Sequence, residues 1–356
     1  MIRKLAVWIS LMFLVGTLAA RAGIPPKPTP RKGQPAPRKG LPTPRPKTPT
    51  PTPSTGFAPT PPKPPSPGNH LYAVRVDELD RRYVVHVPAR YDGIAPTPLV
   101  IILHGEGSTA TNCMRETGWA IKSDLAGFLA AFPEAMTPDP TKPARYFGNP
   151  QTWNDGSGRF TRGLEEVDDI GFIEAMLDDM RDQYNVDKRR VYVTGFSNGA
   201  SMAFQLGVEL SDRIAAIAPV AGYLWLKNPK LENPVSVLYI VGTADPLVPL
   251  KGGEVRLPGG RVETRPPVTG SPAGWAKALG CPLEPKPLRT KEGVSAVVYG
   301  PGREGSEVVF YTVEGLGHTW PGGKRLLPER IAGPTTDKLR ANDVIWEFFH
   351  KHVKGE

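Results

Sequence analysis

The stretch Val191-Tyr192-Val193-Thr194-Gly195-Phe196-Ser197-Asn198-Gly199-Ala200 decides how the rest of the chain is read. Val191 to Thr194 are β-branched or aromatic and suit a short buried strand. Ser201-Met202-Ala203-Phe204-Gln205-Leu206 follows, apolar on nearly every side, and reads as a helix enclosed by a core. Between them, Gly195-x-Ser197-x-Gly199 forms a turn so tight that only glycine fits at the flanking positions. Such a turn lifts the serine hydroxyl above the strand end, and the helix behind it aims free N–H groups at the same point. The plain alternative is a chance pattern in a surface turn. A strand before it and a helix after it argue for a nucleophile.

The flanking sequence supplies a matching frame. Leu71 to Val76 and Arg82 to Val87 alternate apolar and polar residues, as two antiparallel edge strands do. Pro98 to Leu103 is a continuous apolar run, the pattern of a central parallel strand. Trp119 to Phe128 reads as a helix leading into a strand at Phe128 to Phe132. Asp168-Asp169 is placed to cap a helix with Phe172, Ile173, Met176, Leu177, Met180 and Tyr184 on one face. Ile214 to Val220, Val235 to Val241 and Glu307 to Val313 read as further strands, and Thr336 to Val353 as a closing amphipathic helix. Alternating strands and helices imply right-handed crossovers and a mostly parallel sheet covered on both faces. With the serine turn, this is an α/β-hydrolase fold.

Ser197 needs a base, since a lone hydroxyl is a weak nucleophile at neutral pH. In this fold the triad runs Ser, then Asp or Glu, then His along the chain. Of the six histidines, His70, His86 and His104 precede Ser197, and His350 and His352 ride the closing helix. That leaves His318, in a glycine-rich loop after the last strand. Asp245 ends the strand Val237 to Val241 and is the preferred acid, because strand C-terminal ends line the active edge of such sheets. Asp212 and Glu232 fall in the same window. The oxyanion donors are expected to be the backbone N–H groups of Asn198 and Glu106, with His104 bracing the loop that carries Glu106. Trp153 and Trp320 are candidates for a flat substrate platform, or else packing residues. The segment Leu250 to Gly270 shows no clear periodicity and is expected to border a shallow cleft.

Together His104-Gly105, Trp153-Asn154-Asp155, Val167 to Phe172, the serine turn, Gly242-Thr243-Ala244-Asp245 and Gly317-His318-Thr319-Trp320-Pro321-Gly322 resemble the secreted polyhydroxybutyrate depolymerase and feruloyl esterase family. The resemblance runs from about residue 70 to about residue 352. It implies serine esterase chemistry on feruloyl, short acyl or hydroxyalkanoate esters, with Ser197, Asp245 and His318 matching the family triad. Neither a metal nor an organic cofactor is expected. A peptidase on the same fold, which would normally carry an extra specificity domain, and a catalytically dead wall-binding protein are the rivals. An intact triad argues against the second.

The front of the chain has a different chemistry. Met1 to Lys4 is basic, Leu5 to Ala20 is apolar, and Ala20-Arg21-Ala22 has the small residues of a cleavage site. Residues 1–22 therefore read as a signal peptide, with an uncleaved anchor as the rival reading. Residues 23–69 are expected to be a disordered, basic, proline-rich linker, holding 18 of the 42 prolines, too poor in apolar surface to offset the entropy of folding. Residues 70–356 form the catalytic domain. Residues 1–70 hold 11 of the 44 Lys and Arg and no acid, leaving 33 basic against 35 acidic residues beyond them. The formal charge of +9 thus belongs to the front end, and a nucleic-acid partner loses its support. The basic linker is expected to attract anionic wall or membrane polymers weakly. Cys113 and Cys281 are too few for a disulfide framework, though a single pair in an oxidising compartment is conceivable.

Overall fold

Leu99 to Leu103 and Val237 to Val241 offer almost nothing polar to solvent, and every one of these residues is buried. A strand buried on both faces must lie inside a sheet that is covered on both faces. That is where the computed structural model puts them. It describes residues 65–146, 148–159, 163–257 and 260–355. The expected signal peptide and all but the last five residues of the expected linker lie outside the described residues.

The strands are β1 (Gly68–Val76), β2 (Leu79–Val87), β3 (Thr97–Leu103), β4 (Leu129–Pro133), β5 (Val186–Phe196), β6 (Ala216–Val220), β7 (Ser236–Gly242), β8 (Gly253–Arg256), β9 (Val262–Arg265), β10 (Lys286–Leu288), β11 (Val294–Tyr299) and β12 (Val308–Val313). The helices are α1 (Ala110–Thr117), α2 (Trp119–Ala126), α3 (Asp169–Gln183), α4 (Asn198–Glu209), α5 (Gly270–Leu279), α6 (Glu329–Ala332) and α7 (Ala341–Lys351). Ten strands form one sheet in the order β1-β2-β4-β3-β5-β6-β7-β12-β11-β10. The run from β4 to β12 is parallel, and both flanks are antiparallel. β8 and β9 make a separate hairpin.

Side chains alternate across the sheet, and the core divides accordingly. Leu99, Ile101 and Leu103 pack on one face with α3, α4 and α5, through Phe172, Met176, Phe204 and Trp275. Val100 and Ile102 pack on the other with α1, α2 and α7, through Cys113, Trp119, Ile345 and Phe349. Each such aliphatic side chain contributes about 1.5–3 kcal/mol on burial. Asp168 caps α3 by accepting a hydrogen bond from the Gly171 N–H at 2.8 Å. Its neighbour Asp169, also expected to cap, is instead buried and paired with Arg81.

The expected strands and the closing helix are present, with several differences. β1 begins at Gly68, so the fold reaches two residues into the expected linker. β2 is no edge strand, because β4 covers its second side. The helix expected from Trp119 is the second of a pair broken at Gly118, whose φ of 70° ends α1. The segment Leu250 to Gly270, which shows no periodicity, contains the hairpin β8–β9. β10 and β11 form an antiparallel extension that the sequence reading passed over. Cys113 and Cys281 are both free, and they sit in the cores of opposite faces of the sheet.

Candidate active site

Ser197 stands at the junction of β5 and α4 with φ 56° and ψ −117°, a left-handed conformation that a serine adopts only under compulsion. The compulsion comes from the two glycines. A Cβ on Gly195 would lie 2.4 Å from the Gly199 carbonyl oxygen, and one on Gly199 would lie 2.4 Å from the His104 carbonyl oxygen. No side chain fits at either position, so strand and helix close on each other and the serine is pushed outward.

The other two candidates also arrive from parallel strands. Asp245 follows β7 and is 4% exposed. One carboxylate oxygen accepts the N–H groups of Leu247 and Val248, both at 2.8 Å, which locks the turn and the carboxylate together. The other oxygen lies 2.8 Å from His318 Nδ1. His318 is carried on the loop after β12, pinned by its backbone N–H to the Ala332 carbonyl. Its Nε2 stands 2.9 Å from Ser197 Oγ. The fold therefore joins Ser197, His318 and Asp245 in one hydrogen-bonded chain, although 73 residues separate the last two.

The loop after β3 lies against the serine. A Cβ on Gly105 would sit 3.4 Å from Ser197 Cβ. His104 braces this loop, with Nδ1–H donating to the Gly105 carbonyl at 2.8 Å and Nε2 accepting the Ala135 N–H at 3.1 Å. Complete burial pushes its pKa down to about 4, so the ring is neutral, as that pairing requires. The Gly107 N–H donates to Gln151 and the Ser108 N–H to Gly105, which fixes the turn around Glu106. Among the described residues no protein group accepts from the N–H of Glu106 or of Asn198. Both N–H groups lie in the turns that flank Ser197.

The Trp153-Asn154-Asp155 motif is a clamp. The Asn198 side chain accepts from the Trp153 N–H at 2.8 Å and donates to Trp153 O and Asp155 Oδ2 at 3.1 and 2.8 Å. The buried Asp169 accepts the Asn154 N–H and holds Arg81, which lies over the Phe172 ring. Trp153 itself is fully buried and donates from Nε1 to the His104 carbonyl at 2.9 Å. Trp320 is 2% exposed and donates to Asn342, which in turn reaches the Thr117 carbonyl. Neither indole lines the cleft. The expected platform at Trp153 and Trp320 is therefore corrected to a pair of braces. Their polar tips are used up inside the protein, where no ligand reaches them.

The cleft above Ser197 has a volume of about 960 Å³, at the upper end for ligand sites. Its walls include Tyr146, Tyr223 and Leu257, and six arginines. Arg159 lies 4.6 Å over the Trp225 ring and pairs with Asp155 and Glu263, while Arg265 and Arg261 also pair with Glu263. Glu106 touches solvent at the mouth yet is ringed by protein. This desolvation pushes its pKa up, against the pull of Arg159 and Arg261. Deeper in, burial raises Glu116 to about 7, with His318 opposing the shift. Neither Glu116 nor the arginine wall was anticipated. Their segments are irregular or, in α1, α6 and β9, too short for periodicity to mark an inward-facing position.

A family model described as phospholipase/carboxylesterase matches residues 92–256, which include Ser197 and Asp245 and stop short of His318. A Nocardia uniformis subsp. tsuyamanensis protein named as an esterase, NocK, is 29% identical over 75% of this chain and 78% of its own length. Feruloyl esterase B of Piromyces equi is 28% identical over 68% of this chain and 44% of its own. This chain has the α/β-hydrolase fold, and its likeness to these proteins makes it a carboxylic ester hydrolase. The names acetylxylan esterase and poly(3-hydroxyalkanoate) depolymerase also occur among its relatives, and the esterase spans only 31% and 30% of those two proteins. An acetyl xylan esterase from Aspergillus awamori shares the fold, with a TM-score of 0.50 and 16% identity over 70% of this chain and 94% of that one.

Proposed function

We propose that the esterase is an exported serine hydrolase that cleaves feruloyl or short acyl esters through an acyl-enzyme on Ser197. The observation that carries this reading is the Ser197–His318–Asp245 chain, at 2.9 and 2.8 Å, opening into the cleft. His318 Nε2 takes the Ser197 proton as Oγ attacks the ester carbonyl, and Asp245 holds the ring in the tautomer whose Nδ1 carries a proton. The tetrahedral oxyanion is received by the N–H groups of Asn198 and Glu106. His318 then gives its proton to the leaving alcohol oxygen, leaving an acyl group on Ser197. Water enters, His318 takes one of its protons, and the acid departs as Ser197 is restored.

The relatives' names support an acyl group of feruloyl, acetyl or hydroxyalkanoate type, and depolymerisation of a polyhydroxyalkanoate is the second reading. A cleft wall carrying six arginines is a poor bed for a long alkyl chain, whose burial is worth about 0.8 kcal/mol per methylene only where the walls are apolar. Export rests on the charge and apolar pattern of residues 1–22, and we propose that residues 23–69 form a basic tether before the catalytic domain, with weak affinity for anionic polymers. Among the described residues no helix is long and apolar enough to cross a membrane.

A hydrolysis panel tests the reading: methyl ferulate, acetylated xylan, hydroxybutyrate oligomers and p-nitrophenyl esters from acetate to palmitate. Turnover is expected to favour feruloyl or short acyl groups. A profile climbing steadily to palmitate overturns it.

A further inference from the structure

Glu116 ends α1 and lines the active cleft, yet it takes no part in the chemistry described above. It is 8% exposed, and no side-chain hydrogen bond or ion pair engages its carboxyl among the described residues. Its oxygens keep access to the cleft, where a bound group rather than the protein can meet them. Its surroundings are well defined. The backbone on either side is held, with the Thr117 hydroxyl bonded to the Cys113 carbonyl and the Glu116 carbonyl accepting from the Lys324 N–H. His318 and Tyr146 are close enough to exchange electrostatic influence with the carboxyl. The carboxyl lines the cleft near His318 and has unused hydrogen-bonding capacity.

Resting on the serine esterase reading, we infer that Glu116 is a specificity-determining residue that hydrogen-bonds a hydroxyl group of the substrate next to the scissile ester. A hydroxyl is the matching chemistry for two reasons. Burial favours the neutral acid, so the site can present an O–H as well as a carboxylate oxygen. A hydroxyl can accept from the acid or donate to the carboxylate, whereas an apolar group can do neither. A cationic group would suit only the ionised form, and in the same cleft it would meet Arg115, Arg145 and Arg330, which, among the described residues, the carboxylates pairing with Arg159, Arg261 and Arg265 leave unopposed. An anionic group would be drawn to those arginines but repelled at Glu116 itself. Substrates that carry a hydroxyl beside the ester, on either the acyl or the alcohol side, form the favoured class.

The test uses two matched pairs of esters on the full-length protein. Glycerol monoacetate against propyl acetate places the hydroxyl on the alcohol side, and ethyl 3-hydroxybutyrate against ethyl butyrate places it on the acyl side. In the wild type, one pair is expected to show a preference for the hydroxylated ester in kcat/KM. Glu116→Leu is expected to lower that preference about tenfold, since a site built for a hydroxyl loses its discrimination with its polar group. Glu116→Gln, which keeps shape and hydrogen bonding, should retain it within about threefold, and Glu116→Met serves if the leucine variant does not fold. The pair that responds identifies the side carrying the hydroxyl. Equal losses on both members of each pair, or an unchanged ratio in the apolar variant, overturn the inference. Binding of the same four esters to the Ser197→Ala protein, followed by ligand-observed NMR, keeps the test independent of turnover. A wild type that hydrolyses none of the esters, with hydroxyl-selective binding lost in Glu116→Leu, would sink the esterase reading and leave this one standing. Binding without selectivity would sink the inference alone.

Discussion

The floor of the cleft and its rim are built on opposite principles. On the floor, Ser197, Asp245 and His318 each follow a parallel strand at the same edge of the sheet, and glycines with no space for a Cβ hold the backbone around them. On the rim, Arg145, Arg261 and Arg330 stand exposed on turns, a hairpin loop and the short helix α6. Chemistry demands positions fixed to a few tenths of an ångström, which only packed elements supply. Selection among substrates works through charge and shape on segments that sequence can vary without disturbing the core. Substitutions should therefore fall into two classes: catastrophic below, graded above.

The largest effect belongs to the floor. Ser197→Ala is expected to reduce kcat on p-nitrophenyl acetate by roughly 10⁴- to 10⁶-fold with an unchanged circular dichroism spectrum. Asp245→Asn should cost about 10⁴-fold, because the tautomer and orientation of His318 are lost while the backbone turn can persist. A variant of either residue with half the original activity would break the contrast at its root.

Glu116 lies between the two regions and gives the next effect. Its pKa of about 7 in the fold stands above the ordinary 4.5, with burial the first cause. Between those values the folded protein keeps a proton that the unfolded chain has released. Stability should therefore fall as pH rises through that window and level off above it, by about 3 kcal/mol at most. Urea midpoints at pH 5 and pH 8 should differ less in Glu116→Gln than in the wild type. Identical differences would mean that the carboxyl is not desolvated.

Trp320→Phe sharpens the comparison by removing a brace from below the cleft. The lost hydrogen bond to Asn342 should lower stability by about 1 kcal/mol and leave the ranking of acyl groups unchanged. A changed ranking would return the indole to the role of a substrate platform. At the rim, Arg145→Ala with Arg330→Ala should alter kcat/KM on a small neutral ester by less than about threefold, as exposed charges contribute little at close range in water. A much larger change would place these residues in the machinery.

This division also explains what could be read before any coordinates. The short apolar runs of β3, β5 and β7, rich in β-branched residues and bounded by turn signals, mark central strands. Chain order and strand ends singled out Ser197, Asp245 and His318, which the fold joins by hydrogen bonds. Trp153 and Trp320 misled because an indole in a loop looks the same whether its N–H meets a ligand or a backbone carbonyl. The deciding partners, His104 and Asn342, are remote in sequence. Asp169 and Asp168 are adjacent and chemically alike, yet one caps a helix and the other anchors Arg81, a distinction made only by Arg81 arriving from β2. Glu116 sits on a helix of eight residues, too short for a periodic face to mark it as inward. β11 was missed because its mixture of buried and half-exposed positions dilutes the alternation.

The central claim is that Ser197 carries the acyl group. Its most direct test is intact-mass spectrometry of the protein quenched in acid during p-nitrophenyl acetate turnover, followed by peptide mapping. A single added acetyl group is expected on the peptide containing Ser197, decaying as substrate is exhausted and absent in Ser197→Ala. Rapid hydrolysis by a Ser197→Ala protein, or an acetyl group that turns over on another residue, would contradict the account.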